Sequence, residues 1–184
     1  MVKNERLVYV AKGLYFSPEY KDGKQLPLKH RHIKKFMLPY RGLGFDVGES
    51  LYYRLKLTST KPSTYTYYVN HIEEKTRTIQ NTKFIRIYSK LNDLIIRHIE
   101  CLDILEHFEM IPNINLDRFN QYIHSFMDMI DEKVMYHTIK VIKPKKRTIA
   151  FLKQILHSNH INNKLHEFLS TTSIYRIPKW KTGS

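Results

Sequence analysis

Residues 84–109 read FIRIYSKLNDLIIRHIECLDILEHFE, and this run sets the architecture expected for the chain. Apolar side chains recur in it at steps of three and four residues, which is the period of an amphipathic helix. The spacing predicts a helix over 84–109, although residues 84–88 alone are also compatible with a strand. The face that this helix should bury consists of Leu91, Leu94, Ile95, Ile99, Leu102 and Leu105.

Helical spacing continues beyond Pro112, which should end the first helix. Asn115 can cap a second helix that runs to about Ile130, because an Asn side chain accepts a hydrogen bond from a backbone N–H in the first turn. A third helix is predicted over 148–156, and a short fourth helix over 165–169.

Strand patterns flank these helices. Residues 51–58 alternate between apolar and basic side chains over most of their length, which predicts a half-buried strand. Further strands are predicted over 64–72, 133–142 and 173–178, and residues 6–16 should form a short strand or an ordered arm. The order β-β-α-α-β-α-α-β predicts a single α+β domain, in which a small antiparallel sheet packs against several helices.

The N-terminal quarter of the chain looks different from the rest. Residues 17–48 contain three prolines and four glycines, so they should be mostly loop, and they are strongly basic. We therefore divide the chain into a basic N-terminal arm and loop at 1–48 and an α+β core domain with a basic C-terminal part at 49–184.

The amino-acid composition limits the kinds of functional site that the chain can contain. A hydrophobic content of 42% in 184 residues is enough for one folded core. The chain has only six glycines, which argues against a Gly-rich phosphate loop or a dinucleotide fold. Its single cysteine, Cys101, excludes an internal disulfide and a Cys-based zinc site, and should be a small buried hydrophobe. No stretch approaches the roughly 20 apolar residues of a membrane span.

Charge is sorted by position. Residues 1–41 carry ten Lys and Arg against three acids, residues 134–184 carry ten against one, and the residues between carry eleven against thirteen. Basic surfaces attract phosphate on nucleic acid or on anionic lipid. The residues predicted to bind such polyanions are Lys29, Arg31, Lys34, Lys35 and Arg41 in a first cluster, and Lys140, Lys143, Lys145, Lys146 and Arg147 in a second.

The predicted central helix carries acids mostly opposite its apolar stripe. Such a face is usually solvated, but on this basic protein it could also dock a basic partner, including another copy of the chain. The acids predicted to serve self-association are Glu100, Glu106 and Glu109.

Histidines offer the only alternatives to a non-enzymatic function. His30 and His32 resemble the paired-histidine metal site of rolling-circle nucleases, but that site needs both rings on one face of a strand, and this segment should be a basic loop. His157, His160 and His166 match no common closed metal site. We therefore expect no metal, no cofactor and no enzymatic activity.

One segment resembles a known family. Residues 51–66 contain the aromatic run Leu51–Tyr53, a basic turn at Lys61-Pro62 and the pair Thr64-Tyr65, and they resemble the central strand-turn-strand of rhabdovirus matrix proteins. The predicted order of elements over 133–178 is similar too, so that the resemblance covers about two thirds of the chain. It implies a non-enzymatic protein that condenses a ribonucleoprotein and contacts the inner leaflet of an envelope.

The chain departs from animal members of that family. It has no Pro-Pro pair, hence no Pro-Pro-x-Tyr budding motif, and its basic arm is short. The shorter matrix proteins of plant rhabdoviruses fit it better.

The functional expectation is a viral structural, matrix-like protein. It should bind a viral nucleocapsid or RNA, contact anionic membrane surfaces peripherally and self-associate. It should reside in the virion and the host cytoplasm at the membrane periphery, with the nucleus as a further compartment. The alternative is a basic nucleic-acid-binding accessory or regulatory protein of a virus, phage or plasmid, and a third hypothesis is the paired-histidine nuclease.

Overall fold

The structure, a computed structural model, describes residues 7–180. Residues 1–6 of the predicted arm and residues 181–184 of the predicted core domain lie outside the described residues. The first described elements are two short hairpins and a helix: β1 (Val8–Ala11), β2 (Leu14–Phe16), β3 (Tyr20–Lys21), β4 (Lys24–Gln25) and α1 (His30–Met37).

A four-stranded sheet and a layer of helices follow. The sheet segment consists of β5 (Gly44–Val47), α2 (Glu49–Arg54), β6 (Tyr65–Val69), β7 (Thr76–Ile79) and β8 (Thr82–Arg86). The helical segment consists of α3 (Asp93–His107), α4 (Leu116–Met127), α5 (Glu132–Ile142) and α6 (Lys146–Ser158), with short 3-10 turns at Phe108–Met110 and Leu165–Phe168. These elements form one α+β domain, as predicted.

The sheet is mixed, so the prediction of an antiparallel sheet is wrong for one pair of strands. The strand order is β5-β6-β8-β7, and the central pair β6–β8 is parallel, with Tyr65 opposite Thr82. A two-residue turn at Gln80 and Asn81 joins β7 to β8, and Gln80 has a φ of 52°. β8 therefore lies between β7 and β6 and is antiparallel to β7. Because β7 runs opposite to β6, β8 runs in the same direction as β6.

The two faces of the sheet bury different partners, because successive side chains of a strand point to opposite faces. On one face, Tyr67 and Phe84 pack against Ile33 of α1 and Leu14 of β2. On the other face, Phe45 and Val47 pack in a cluster with Ile99 of α3. The sheet therefore separates α1 from the helical layer.

Gly44 lies where the sheet has no room for a side chain. A Cβ atom at this position would lie 2.4 Å from the carbonyl oxygen of Tyr68 and 2.9 Å from Cδ2 of Leu38, just after α1. A glycine here therefore lets the end of α1 approach the sheet closely.

The helical layer is built around α3, whose buried face was partly predicted. Ile99, Leu102 and Leu105 are buried, as is Cys101, whereas Leu91, Leu94 and Ile95 are only half-buried. α3 begins at Asp93 rather than at residue 84, since the side chain of Asn92 accepts a hydrogen bond from the backbone N–H of Ile95 at 2.8 Å. Residues 82–86 form β8, which agrees with the strand alternative for 84–88.

Three predicted strands are wrong. Residues 133–142 lie in α5, because Asp131 caps the helix through the backbone N–H of Val134 and buried Met135 and Ile139 are spaced four residues apart. Residues 51–58 contain α2 and a turn, and the Tyr52 hydroxyl holds α2 by donating to Oδ2 of Asp103 at 2.9 Å. Residues 173–178 have no regular secondary structure.

The segment 17–48 is more ordered than predicted. It contains β3, β4, α1 and β5, and α1 contributes Ile33 and Met37 to a buried cluster with the sheet. Two apolar residues four positions apart hold this short helix against the sheet. The prolines and glycines around the helix made this spacing hard to recognise in the sequence. No helix within residues 7–180 combines the length and apolar character needed to cross a bilayer.

Candidate polyanion-binding surface

α1 carries most of the first basic cluster on a rigid support. Ile33 and Met37 are 1% and 4% exposed and pack on the sheet, so the opposite side of the helix faces outward. Arg31 and Lys35 are exposed there, and α1 contains no acidic residue. Lys34 is exposed too, and its Nζ lies 5.6 Å from the centroid of the Tyr67 ring on the sheet. The two lysines stand in the last turn, where the partial negative charge of the helix end favours cations.

Lys29 and Arg41 extend this surface at the two ends of α1. Lys29 is the exposed residue immediately before the helix, and Arg41 is exposed in the loop between α1 and β5. Within residues 7–180, none of the five cations of this cluster forms an ion pair. We call the surface formed by Lys29, Arg31, Lys34, Lys35 and Arg41 the α1 face.

His30 anchors the start of α1 to the sheet. Its ring stacks on that of Tyr65 with the ring centroids 3.4 Å apart, and its Nε2 lies 2.9 Å from the hydroxyl oxygen of Tyr67. Burial, assisted by the positive charge of Lys34, lowers the pKa of His30. The imidazole is therefore neutral near pH 7 and acts as a packing and hydrogen-bonding group.

The paired-histidine hypothesis does not match this geometry. His30 and His32 lie on a helix, where residues two positions apart point in different directions. His30 contacts Tyr65 and Tyr67, whereas Nε2 of His32 accepts a hydrogen bond from Nε of Arg31 at 3.1 Å. In residues 7–180, no three His, Cys, Asp or Glu side chains lie close enough together to hold a metal ion, and this includes the set His157, His160 and His166.

Two of the five cations of the second basic cluster form ion pairs inside the molecule. Nζ of Lys145 lies 3.2 Å from Oε1 of Glu106, and Arg147 forms an ion pair with Glu109. Nζ of Lys146 donates to the carbonyl oxygen of Phe168. Lys140 and Lys143 are exposed, and neither forms an ion pair within the described part of the chain.

The same ion pairs occupy two of the three acids that were predicted to serve self-association. Glu106 and Glu109 contact Lys145 and Arg147 of their own chain, so the proposed attraction between copies is already satisfied within one copy. The prediction that Glu100 is a surface residue is wrong, because only 3% of it is exposed.

Glu100 is buried because two arginines compensate its charge. Its Oε1 lies 2.7 Å from Nη2 of Arg54, and its Oε2 lies 3.5 Å from Nη1 of Arg97. Arg54 also contacts Asp46 of β5 at 3.0 Å. Burial raises the pKa of Glu100, while the hydrogen bond from Arg54 opposes that shift. Glu100 therefore links α2, α3 and the edge of the sheet.

The structure does not bring the two basic clusters together. α1 packs on one face of the sheet, while α5 and α6 pack against α3 on the other side. The two basic clusters therefore lie on different sides of the sheet.

Two aromatic side chains lie at the surface beside the α1 face. Phe36 is 54% exposed and Tyr40 is 77% exposed. The sequence did not indicate that α1 also faces the segment joining β6 to β7, because residues so far apart in the chain share no local pattern.

Comparisons with known proteins give no identification. The chain matches no protein-family model and no curated protein at a significant level. The functional conclusion therefore depends on the geometry of the described residues.

Proposed function

We propose that the protein is a non-enzymatic nucleic-acid-binding protein, and that the α1 face is its main contact with phosphate. The observation that carries this proposal is an outward helical surface with Arg31, Lys34 and Lys35 exposed and no acid on the same helix. Arginine and lysine side chains on such a surface neutralise phosphates and release the counterions bound to them, which drives association.

The α1 face is a better candidate than the second cluster because its cations are not paired. Lys145 and Arg147 would have to leave Glu106 and Glu109 in order to contact phosphate. Exposed ion pairs are worth only up to about 1 kcal/mol, but each broken pair leaves an acid near the incoming phosphate. Binding should therefore begin at α1.

A matrix-like viral structural role is the second candidate. It adds peripheral contact with an anionic membrane and self-association to the binding of a nucleocapsid. Its specific support is a concentration of exposed apolar side chains near the N-terminus, which a bilayer or another copy could cover. These side chains are Leu7, Tyr9, Tyr15, Tyr20, Phe36 and Tyr40.

Charge-neutral variants test the proposed function. In one variant, Arg31, Lys34 and Lys35 are changed to Gln. In the control, Lys140, Lys143 and Lys145 are changed to Gln, which removes the same net charge from the second cluster. We expect the α1 variant to lose most of its affinity for single-stranded RNA, and its log–log salt slope to fall by about 2, since each phosphate contact contributes about 0.7.

The measurement is fluorescence anisotropy with a labelled oligonucleotide over a series of salt concentrations. The control variant should retain most of the affinity and most of the salt slope. Equal losses in both variants would show that net charge alone, rather than the α1 face, determines binding.

A further inference from the structure

A cleft of about 380 Å³ opens beside the α1 face, between α1 and the segment that joins β6 to β7. Phe36 lines it on the side of α1. His71 and Arg77 line it on the side of the sheet, and Met37 and Ile72, both buried, supply an apolar lining. The cleft therefore combines an exposed aromatic ring, an apolar interior and polar groups at its rim.

We propose that this cleft binds one unstacked base of a single-stranded nucleic acid whose phosphates lie on the α1 face. The inference rests on the proposed function and deepens it, because it names the class of nucleic acid. Aromatic rings stack on bases of any sequence, and proteins that bind single strands combine such rings with a basic path for the backbone.

The geometry of α1 places the two parts of the site next to each other. Lys35 and Phe36 are consecutive residues, so they point about 100° apart around a helix of 3.6 residues per turn. A strand whose phosphates follow Arg31 and Lys35 therefore has its bases within reach of the Phe36 ring. A duplex keeps its bases stacked inside, and so it presents no free base face to this ring.

Charge on the opposite wall indicates what can enter the cleft. Glu73 and Glu74 are exposed and line it across from α1. Their carboxylates repel phosphate, whereas a neutral base carries no such penalty. The phosphates are thus kept on the α1 face, and the cleft is left to the base. The same carboxylates make the cleft unsuited to the headgroups of an anionic bilayer.

One polar group of the cleft has a fixed position. Nη2 of Arg77 donates to the backbone carbonyl oxygen of Lys12, which ties β7 to the hairpin formed by β1 and β2. The guanidinium is consequently held at the rim rather than free to swing into solvent, and it offers its remaining N–H groups to a base edge.

The test compares two probes of equal charge: a short oligothymidylate, and an abasic oligomer with the same number of phosphates. We expect the wild-type protein to bind oligothymidylate roughly 5- to 150-fold more tightly than the abasic oligomer, the range that one stacked base supplies. Phe36→Ala should remove this preference and leave the affinity for the abasic oligomer unchanged. Tyr53→Ala, an exposed aromatic on α2, is the matched control and should keep the preference.

A second readout does not depend on truncating the side chain. In Phe36→Trp, the fluorescence of the new indole should be quenched by oligothymidylate and not by the abasic oligomer.

An undiminished preference in Phe36→Ala would overturn the base site while leaving the proposed function intact. Failure of the wild type to bind either probe would instead overturn the proposed function. Loss of binding to phosphatidylserine vesicles in Phe36→Ala, with oligothymidylate binding retained, would assign the ring to a membrane contact and overturn the base site.

Discussion

His98 shows how a single polar side chain is accommodated in the helical core. It is fully buried, and its ring bridges two elements. Nδ1 donates to the carbonyl oxygen of Leu94 at 2.7 Å, and Nε2 accepts from the backbone N–H of Asp131 at 3.3 Å. These two bonds require a neutral ring with its proton on Nδ1. Burial lowers the pKa of His98 accordingly.

This arrangement makes stability depend on pH. In the unfolded chain the imidazole gains a proton near its ordinary pKa of about 6.5, whereas in the folded protein it resists protonation to lower pH. The contribution of His98 to the free energy of unfolding is complete above about pH 6.5 and declines as the pH falls below it. The decline is at most about 1.4 kcal/mol per pH unit for one proton.

Urea unfolding at a series of pH values measures this contribution. The decline between about pH 6.5 and pH 5 should be shallower in His98→Phe than in the wild type, since the variant has no proton to bind at this position. His124→Phe, which changes an exposed histidine of α4, should retain the slope of the wild type. The interpretation fails if wild type and His98→Phe have the same pH dependence.

At the scale of elements, α1 shows how a short helix depends on its packing. Eight residues are too few for a stable isolated helix, so α1 persists because Ile33 and Met37 are buried against the sheet. The position of the whole α1 face therefore depends on this apolar contact, together with the contacts of His30 with Tyr65 and Tyr67.

Truncating that contact should be costly. We expect Ile33→Ala to lower the free energy of unfolding by about 2–5 kcal/mol, because it removes buried methyl groups and leaves a cavity against Tyr67 and Phe84. Ile174→Ala is the matched control, since Ile174 is fully exposed and its truncation should have almost no effect. Equal urea midpoints for the two variants would show that α1 does not pack on the sheet.

The helices differ in how well the sequence predicted them. α4 and α6 repeat their apolar spacing over 12 and 13 residues, which is enough to distinguish a helix from a strand. α2 has only six residues, and it is held by a tertiary bond from Tyr52 to Asp103, 51 positions away in the sequence. In α5, the N-terminal cap at Asp131 was the local signal of a helix, but the β-branched and aromatic residues that follow favoured a strand.

On the scale of the whole molecule, the sequence predicted where charge is concentrated but not which charges are available. The pairing of Arg147 with Glu109 joins residues 38 positions apart, and that of Arg54 with Glu100 joins residues 46 positions apart. Only the fold brings these groups together, since Glu100 lies on α3 and Glu109 in the 3-10 turn that follows it. The mixed sheet then places the two basic clusters on opposite sides, so that they do not form one continuous surface.

The central claim is that nucleic acid lies on the α1 face, and lysine footprinting tests it most directly. Acetic anhydride modifies exposed lysine amines, and mass spectrometry locates the modified residues with and without bound oligothymidylate. We predict that Lys34 and Lys35 become protected in the complex while Lys140 and Lys143 keep their reactivity. Protection of Lys140 and Lys143, with Lys34 and Lys35 as reactive as in the free protein, would contradict the account.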